Sequence, residues 1–161
     1  MKSLKIKLIL FALVCTVFNS CSSGDEGIYF NEFKTEYATM ELEIIDLINE
    51  YRISLGMLPF ETLDIISSVA LTQSSHTIIN DEMNHDVFIE QQENSVALTN
   101  AKWTGESLAY GFSSATSVIN AMLNNENHKA IIENDSYTHI GISIEQNRQG
   151  RNYFTKIFIK K

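Results

Sequence analysis

Four histidines, His76, His85, His128 and His139, are the side chains best suited to move a proton or ligate a metal near neutral pH. None falls in an H-E-x-x-H helix pattern, and the chain has no C-x-x-C pair, so no local metal motif is present. Gly105-Glu106-Ser107-Leu108-Ala109 departs from the G-x-S-x-G nucleophile elbow at its last position, and no Gly-rich phosphate loop occurs. His76 falls on the apolar stripe of a helical pattern and reads as a hydrogen-bonded packing residue. His139 opens a strand pattern beside Thr138 and reads as structural too. His85 and His128 stand in polar, loop-like surroundings, Met83-Asn84-His85-Asp86 and Asn125-Glu126-Asn127-His128-Lys129. There an imidazole is either solvated or available for binding, and spacing alone leaves both readings open.

Bringing such distant residues together requires a fold. Met40, Ile44, Leu47, Tyr51 and Leu55 recur at i+3/i+4 between Glu36 and Leu55, the stripe of an amphipathic helix, with Gly56 as its left-handed stop and Pro59 beyond. A second helical pattern runs from Leu63 to Met83. Residues 86–103 are polar and weakly periodic and predict a long connection with a helical turn near Phe88–Gln92. Ser113 or Ser114 can cap a third helix carrying Val118, Ile119 and Met122. The period then changes from helix to strand. Ile140, Ile142 and Ile144 alternate with smaller or polar residues, and after Asn147-Arg148-Gln149-Gly150 the chain returns through Tyr153 to Ile159, which predicts a hairpin. The returning strand carries Tyr153, Ile157 and Ile159 on one face and Phe154 and Phe158 on the other. Such a strand needs cover on both faces, so the sheet is expected between helical layers.

The 161 residues are 44% hydrophobic, with 7 Gly and 1 Pro, which excludes disordered, collagen-like and low-complexity classes and suits a single domain. At the start, Lys2, Lys5 and Lys7 precede an eleven-residue run, Leu8 to Phe18, too short to cross a bilayer core of roughly 30 Å as a helix but suited to a signal peptide. The run closes with Phe18-Asn19-Ser20-Cys21 and a small polar stretch, which resembles a bacterial lipobox. Residues 1–20 are thus expected to be a signal peptide, Cys21 the lipidated first mature residue, and residues 21–35 its tether. The alternative is an ordinary signal peptide and a secreted protein. Loss of the three leader lysines moves the formal charge from −8 to −11, a balance that disfavours nucleic acid as a partner.

Six segments, in order across residues 40–159, together resemble the CAP superfamily (cysteine-rich secretory proteins, antigen 5 and pathogenesis-related proteins), in its bacterial SCP-like branch. Leu47-Ile48-Asn49-Glu50-Tyr51-Arg52 with Leu55-Gly56 is similar to the family's N-x-x-R-x-x-x-G helix, and Met83-Asn84-His85-Asp86 to its F-S-H-D turn. Gly105-Glu106-Ser107-Leu108-Ala109-Tyr110-Gly111 resembles the G-E-N-x-A-Y-G strand. Met122 to Ile131 is similar to W-x-N-S-x-G-H-R-x-N-I, with Met122 in place of Trp and Asn125-Glu126-Asn127 in place of S-x-G. Tyr137-Thr138-His139-Ile140-Gly141 and Tyr153-Phe154-Thr155 with Phe158 complete the set.

The resemblance implies an α+β fold, a three-layer α-β-α sandwich with a central, mainly antiparallel sheet, over residues 36–161. It also implies a cleft lined by His85, Glu106 and His128, with Ser107 where the family has Asn and the second acidic position falling near Asn125 or Glu126. On that reading His85 and His128 are expected within reach of one water or cation, with Glu106 partly buried against one ring and His76 elsewhere. The functional expectation is a lipid-anchored binding or interaction module of a bacterial envelope, periplasmic or at the outer surface, with a protein or small ligand in the cleft. The alternatives are a hydrolase using a divalent cation such as zinc on His85 and His128, with those two and Glu106 as its catalytic residues, and carriage of a lipid or sterol.

Overall fold

The computed structural model describes residues 34, 36–80, 85, 89, 96–97 and 99–161. The leader, Cys21 and the tether before Lys34 lie outside the described residues, as do Met83, Asn84, Asp86 and all but Ile89 of the turn expected near Phe88–Gln92. Among the described residues no helix is long and apolar enough to cross a membrane.

Helix α1 covers Thr39–Ser54. Glu41 in its first turn accepts the backbone N–H of Ala38 at 2.9 Å, satisfying a donor that the helix itself cannot. The helix stops where Gly56 takes a φ of 76°, a left-handed conformation that a side chain would strain. Strand β1 is only Glu61–Thr62 and runs straight into α2, Asp64–Asn80. Strand β2 covers Trp103–Tyr110, and Ser114 caps α3, Ala115–Leu123, by accepting the N–H of Ser117. A short α4, Glu126–Ile132, follows with Asn125 as its cap. His128 therefore stands on a helix and not in a loop; the Asn125 side chain takes the N–H groups of Asn127 and His128 and starts a turn that the polar sequence conceals. Strands β3, His139–Gln146, and β4, Asn152–Lys160, form the hairpin that alternation predicted.

The sheet order is β1-β3-β4-β2. Among the described residues only the β1–β3 pair is parallel; β3–β4 and β4–β2 are antiparallel. β4 is central and almost wholly buried, and its two faces meet different helices. Phe154 and Phe158 join Ile140 and Ile142 in a core with Ile44 and Ile48 of α1, Val118 and Met122 of α3, and Ile132 of α4. Ile157 and Ile159 pack instead on Ile66, Val69 and Ala70 of α2. This is the three-layer sandwich, mixed in composition and mainly antiparallel in its sheet. α2 lies so close to β3 that a Cβ on Gly141 would fall 2.4 Å from the backbone of Ile66, and the Ser67 hydroxyl accepts the Ile142 N–H at 3.1 Å. Gly141 is thus required by contact, not by turn geometry.

Arg52 ties the end of α1 to the connections leaving α1 and α4. It is 2% exposed. Its Nε donates to the Leu58 carbonyl at 2.8 Å, and its Nη1 to those of Ile132 and Asn134 at 2.5 and 3.2 Å. The guanidinium lies 3.7 Å from the ring centroid of Phe60. Planar donors that reach three carbonyls of two connections suit this place better than an ammonium would.

Candidate functional site

Glu106 lies in β2, the edge strand opposite β1, paired with Ile157 of β4, while its neighbour Ser107 pairs with Lys156. Alternation along the strand therefore sends Glu106 and Ser107 to opposite faces. Glu106's side chain is 2% exposed, and its Oε2 accepts from Nδ1 of His85, a residue 21 positions earlier whose ring is 59% exposed. The other oxygen, Oε1, is buried without a hydrogen-bond partner. Burial raises the carboxyl pKa, and the hydrogen bond and charge of His85 pull it back down.

His128 projects from α4, next to a cavity of about 320 Å³ whose lining includes Leu108, Tyr110, Phe112, Val118 and Met122. Its imidazole pKa is lowered by burial first, then by Lys156 and His85, so the neutral ring is favoured and both groups lie within electrostatic reach. The structure thus brings His85 onto Glu106, and His128 stands close enough to feel His85. His76 is elsewhere, on α2, its Nε2 accepting from the Asn80 amide at 2.7 Å. His139 is held by Thr138, its Nδ1 2.8 Å from that hydroxyl, and lies 3.6 Å from the Glu61 carboxylate.

Lys156 is the residue that sequence reasoning passed over. It is fully buried, its Nζ has no hydrogen-bond partner, and burial alone lowers its pKa to about 7. Alternation already signalled it: Lys156 falls midway between Phe154 and Phe158 and shares their buried face. Ser107, its partner across the β2–β4 ladder, is 1% exposed, and its hydroxyl is also unpartnered.

Among the described residues no group of three or more His, Cys, Asp or Glu side chains is set to hold a metal ion. Lys156, within electrostatic reach of His128, opposes a divalent cation there when it is protonated. The expected zinc-type centre on His85 and His128 therefore does not fit the donors that the described residues supply. A larger concavity of about 570 Å³ at the β3–β4 turn, bordered by Ile78, Ile79, Arg148 and Arg151, contains none of the histidines among its described lining residues.

Comparison with known proteins agrees with this architecture. The chain is 27% identical over 136 residues to the uncharacterized membrane protein YlbC of Bacillus subtilis (strain 168), covering 81% of this chain and 37% of that one. Among solved structures, an outer surface protein from Borrelia burgdorferi superposes with a TM-score of 0.68 at 22% identity, over 78% of this chain and 98% of its own. A cysteine-rich secretory protein from Staphylococcus aureus gives 0.66 at 19% identity, over 74% and 38%. An extracellular protein containing an SCP domain from Bacillus anthracis gives 0.65 at 21%, over 74% and 40%. This chain thus spans little more than a third of the Bacillus subtilis and Staphylococcus relatives. The family described as "CAP: Cysteine-rich secretory protein family" matches residues 45–158, from the middle of α1 to the end of β4, and the chain belongs to it.

Proposed function

We propose that this protein is an exported, lipid-anchored binding module of the bacterial envelope, and that its cleft of His85, Glu106 and His128 holds a small ligand. The observation that carries the reading is Glu106: a buried carboxylate with one oxygen held by His85 and the other bonded to nothing. An unpaired buried acceptor is costly, and a donor from a ligand would relieve it. Binding is favoured over nucleophilic catalysis because the Ser107 hydroxyl, next in sequence to Glu106, is bonded to neither histidine. Relatives named as a membrane protein, an outer surface protein and an extracellular protein support the envelope address.

Ring-labelled histidine spectra test the cleft. Adding the small-molecule fraction of a bacterial envelope extract is expected to shift His85 and His128 together and saturably, and Glu106→Gln to abolish the shift. Rings that stay unmoved at every addition overturn the reading. The anchor has its own test. Cys21→Ser is expected to move the protein from the membrane to the soluble fraction, because the acyl chains that hold it are lost. Identical partitioning of variant and wild type removes the anchor from the proposal.

A further inference from the structure

Away from the histidines, the arginines are unevenly placed. The chain has three of them and a net charge of −8. Arg52 is buried in the fold; Arg148 and Arg151 are exposed, three residues apart in the β3–β4 turn. Both line the concavity of about 570 Å³, with Asn147 and Gln149 of the same turn and with Ile78 and Ile79 from the end of α2. The described lining contains no carboxylate, and among the described residues neither arginine is paired with one. Arg151 lies 5.6 Å from the ring centroid of Tyr110, which is itself stacked on Tyr153. Ile79 is 80% exposed, so this concavity leaves a large apolar side chain in water beside two unanswered charges. The turn is fixed from within. The Asn147 side chain accepts the N–H groups of Gln149 and Arg151 at 3.1 and 2.9 Å, and its own N–H donates to the Arg151 carbonyl at 3.0 Å. Gly150 completes the turn with a φ of 78°. The backbone that carries both arginines is therefore set before a ligand arrives, which lowers the ordering cost of binding.

We propose that this concavity is a second binding site, in which Arg148 and Arg151 take a phosphate monoester group whose apolar substituent lies on Ile78 and Ile79. A guanidinium keeps its charge at any physiological pH and meets phosphate oxygens with paired N–H groups. Two of them, with no acid in the described lining, call for about two negative charges. A phosphate monoester carries about −1.5 to −2 at pH 7 on one compact group with three acceptor oxygens, so both arginines can converge on it. A monocarboxylate has one charge and two oxygens and leaves half of the positive charge unanswered. A volume of about 570 Å³ is that of a small-molecule pocket. A soluble phosphate ester and a lipid with a phosphomonoester headgroup offer the same chemistry here. The site goes beyond the cleft reading above and stands or falls without it.

The test is a titration of the isotope-labelled protein with hexyl phosphate, inorganic phosphate and sodium hexanoate at matched ionic strength, following the Arg148 and Arg151 Nε and Ile79 methyl signals. Hexyl phosphate is expected to shift all three saturably. It should bind several-fold more tightly than inorganic phosphate, which has no apolar part, and than hexanoate, which has a single charge. Arg148→Gln and Arg151→Gln should each weaken hexyl phosphate roughly tenfold, the loss of one charge-assisted hydrogen bond. Ile79→Ser should bring hexyl phosphate down to the affinity of inorganic phosphate and leave the latter unchanged. Hexanoate binding as tightly as hexyl phosphate overturns the phosphate assignment. Full hexyl phosphate affinity in both arginine variants, or shifts that grow without saturating, overturn the site. Phosphatidylcholine vesicles with and without phosphatidic acid separate the two sources. Arginine-dependent co-sedimentation only with phosphatidic acid assigns the site to a lipid headgroup, and hexyl phosphate binding without co-sedimentation assigns it to a soluble ester.

Discussion

Arg52 and Lys156 are both buried cations lying against a phenylalanine ring, and their surroundings divide them. Arg52 gives three hydrogen bonds to the carbonyls of Leu58, Ile132 and Asn134 and stacks 3.7 Å from Phe60. Lys156 gives none and rests 5.7 Å from Phe154. The same contrast separates two buried acids. Glu41 takes donors on both oxygens, from Lys34 and the Ile144 N–H on one and the Ala38 N–H on the other. Glu106 has one oxygen filled and one empty. A buried charge with every partner present holds connections together; one with partners missing destabilises the fold unless something else supplies them. The difference separates the residues whose polar groups are all satisfied within the fold from those left with an unpaired atom.

The largest expected effect comes from exchanging each cation for methionine. Arg52→Met leaves three carbonyls short of a donor and is expected to cost about 3–5 kcal/mol in urea unfolding. Lys156→Met replaces a desolvated amine by an apolar chain of similar length and is expected to raise stability by about 1–2 kcal/mol. A loss in both variants would erase the distinction and give Lys156 a structural role.

A pH series sharpens the same contrast. The folded pKa of Lys156, about 7, lies far below that of an unfolded lysine. Between those values the unfolded chain binds the extra proton, so stability rises with pH across the interval and is lost as pH falls through 7. The wild type is thus expected to gain about 2–3 kcal/mol on Lys156→Met between about pH 7 and pH 9. Stability difference curves that stay flat there would show that the amine is charged and paired in the folded protein.

Much of the fold was legible in the sequence because its cores are apolar and periodic. The α1 stripe, the Gly56 stop, the Ser114 cap and the hairpin all carry local signals, and the two apolar faces of β4 announce helices on both sides. β1 was missed because its two residues are strand only through pairing with His139 and Ile140, more than seventy residues away. α4 was missed because Asn125-Glu126-Asn127 reads as a loop until the Asn125 side chain is seen capping it. His85, Glu106 and His128 came from the family resemblance; no spacing rule joins them. Lys156 could have been found by parity alone, as a charge on a buried face. That its amine is unpartnered is a property of the packed layers and has no trace in the sequence.

The smallest expected effect compares the two acids by one neutral substitution. At Glu41 both oxygens accept, so the amide of Glu41→Gln turns an N–H toward either Ala38 or Ile144 and loses the Lys34 ion pair; a cost of about 2 kcal/mol is expected. At Glu106 the amide oxygen can still take the His85 proton, and the NH₂ falls where no partner stood before. The substitution also removes a desolvated charge, so at neutral pH stability should change by less than about 1 kcal/mol. The sign of the pH dependence separates the cases further. Burial raises the Glu106 pKa, so the group contributes stability that is full below the ordinary carboxylate pKa and is lost as pH rises through the raised one. Wild-type stability should accordingly fall relative to Glu106→Gln across that interval. A wild type that instead gains on Glu106→Gln as pH rises would mean that the His85 contact outweighs burial, and Glu106 would then be a structural ion pair like Glu41.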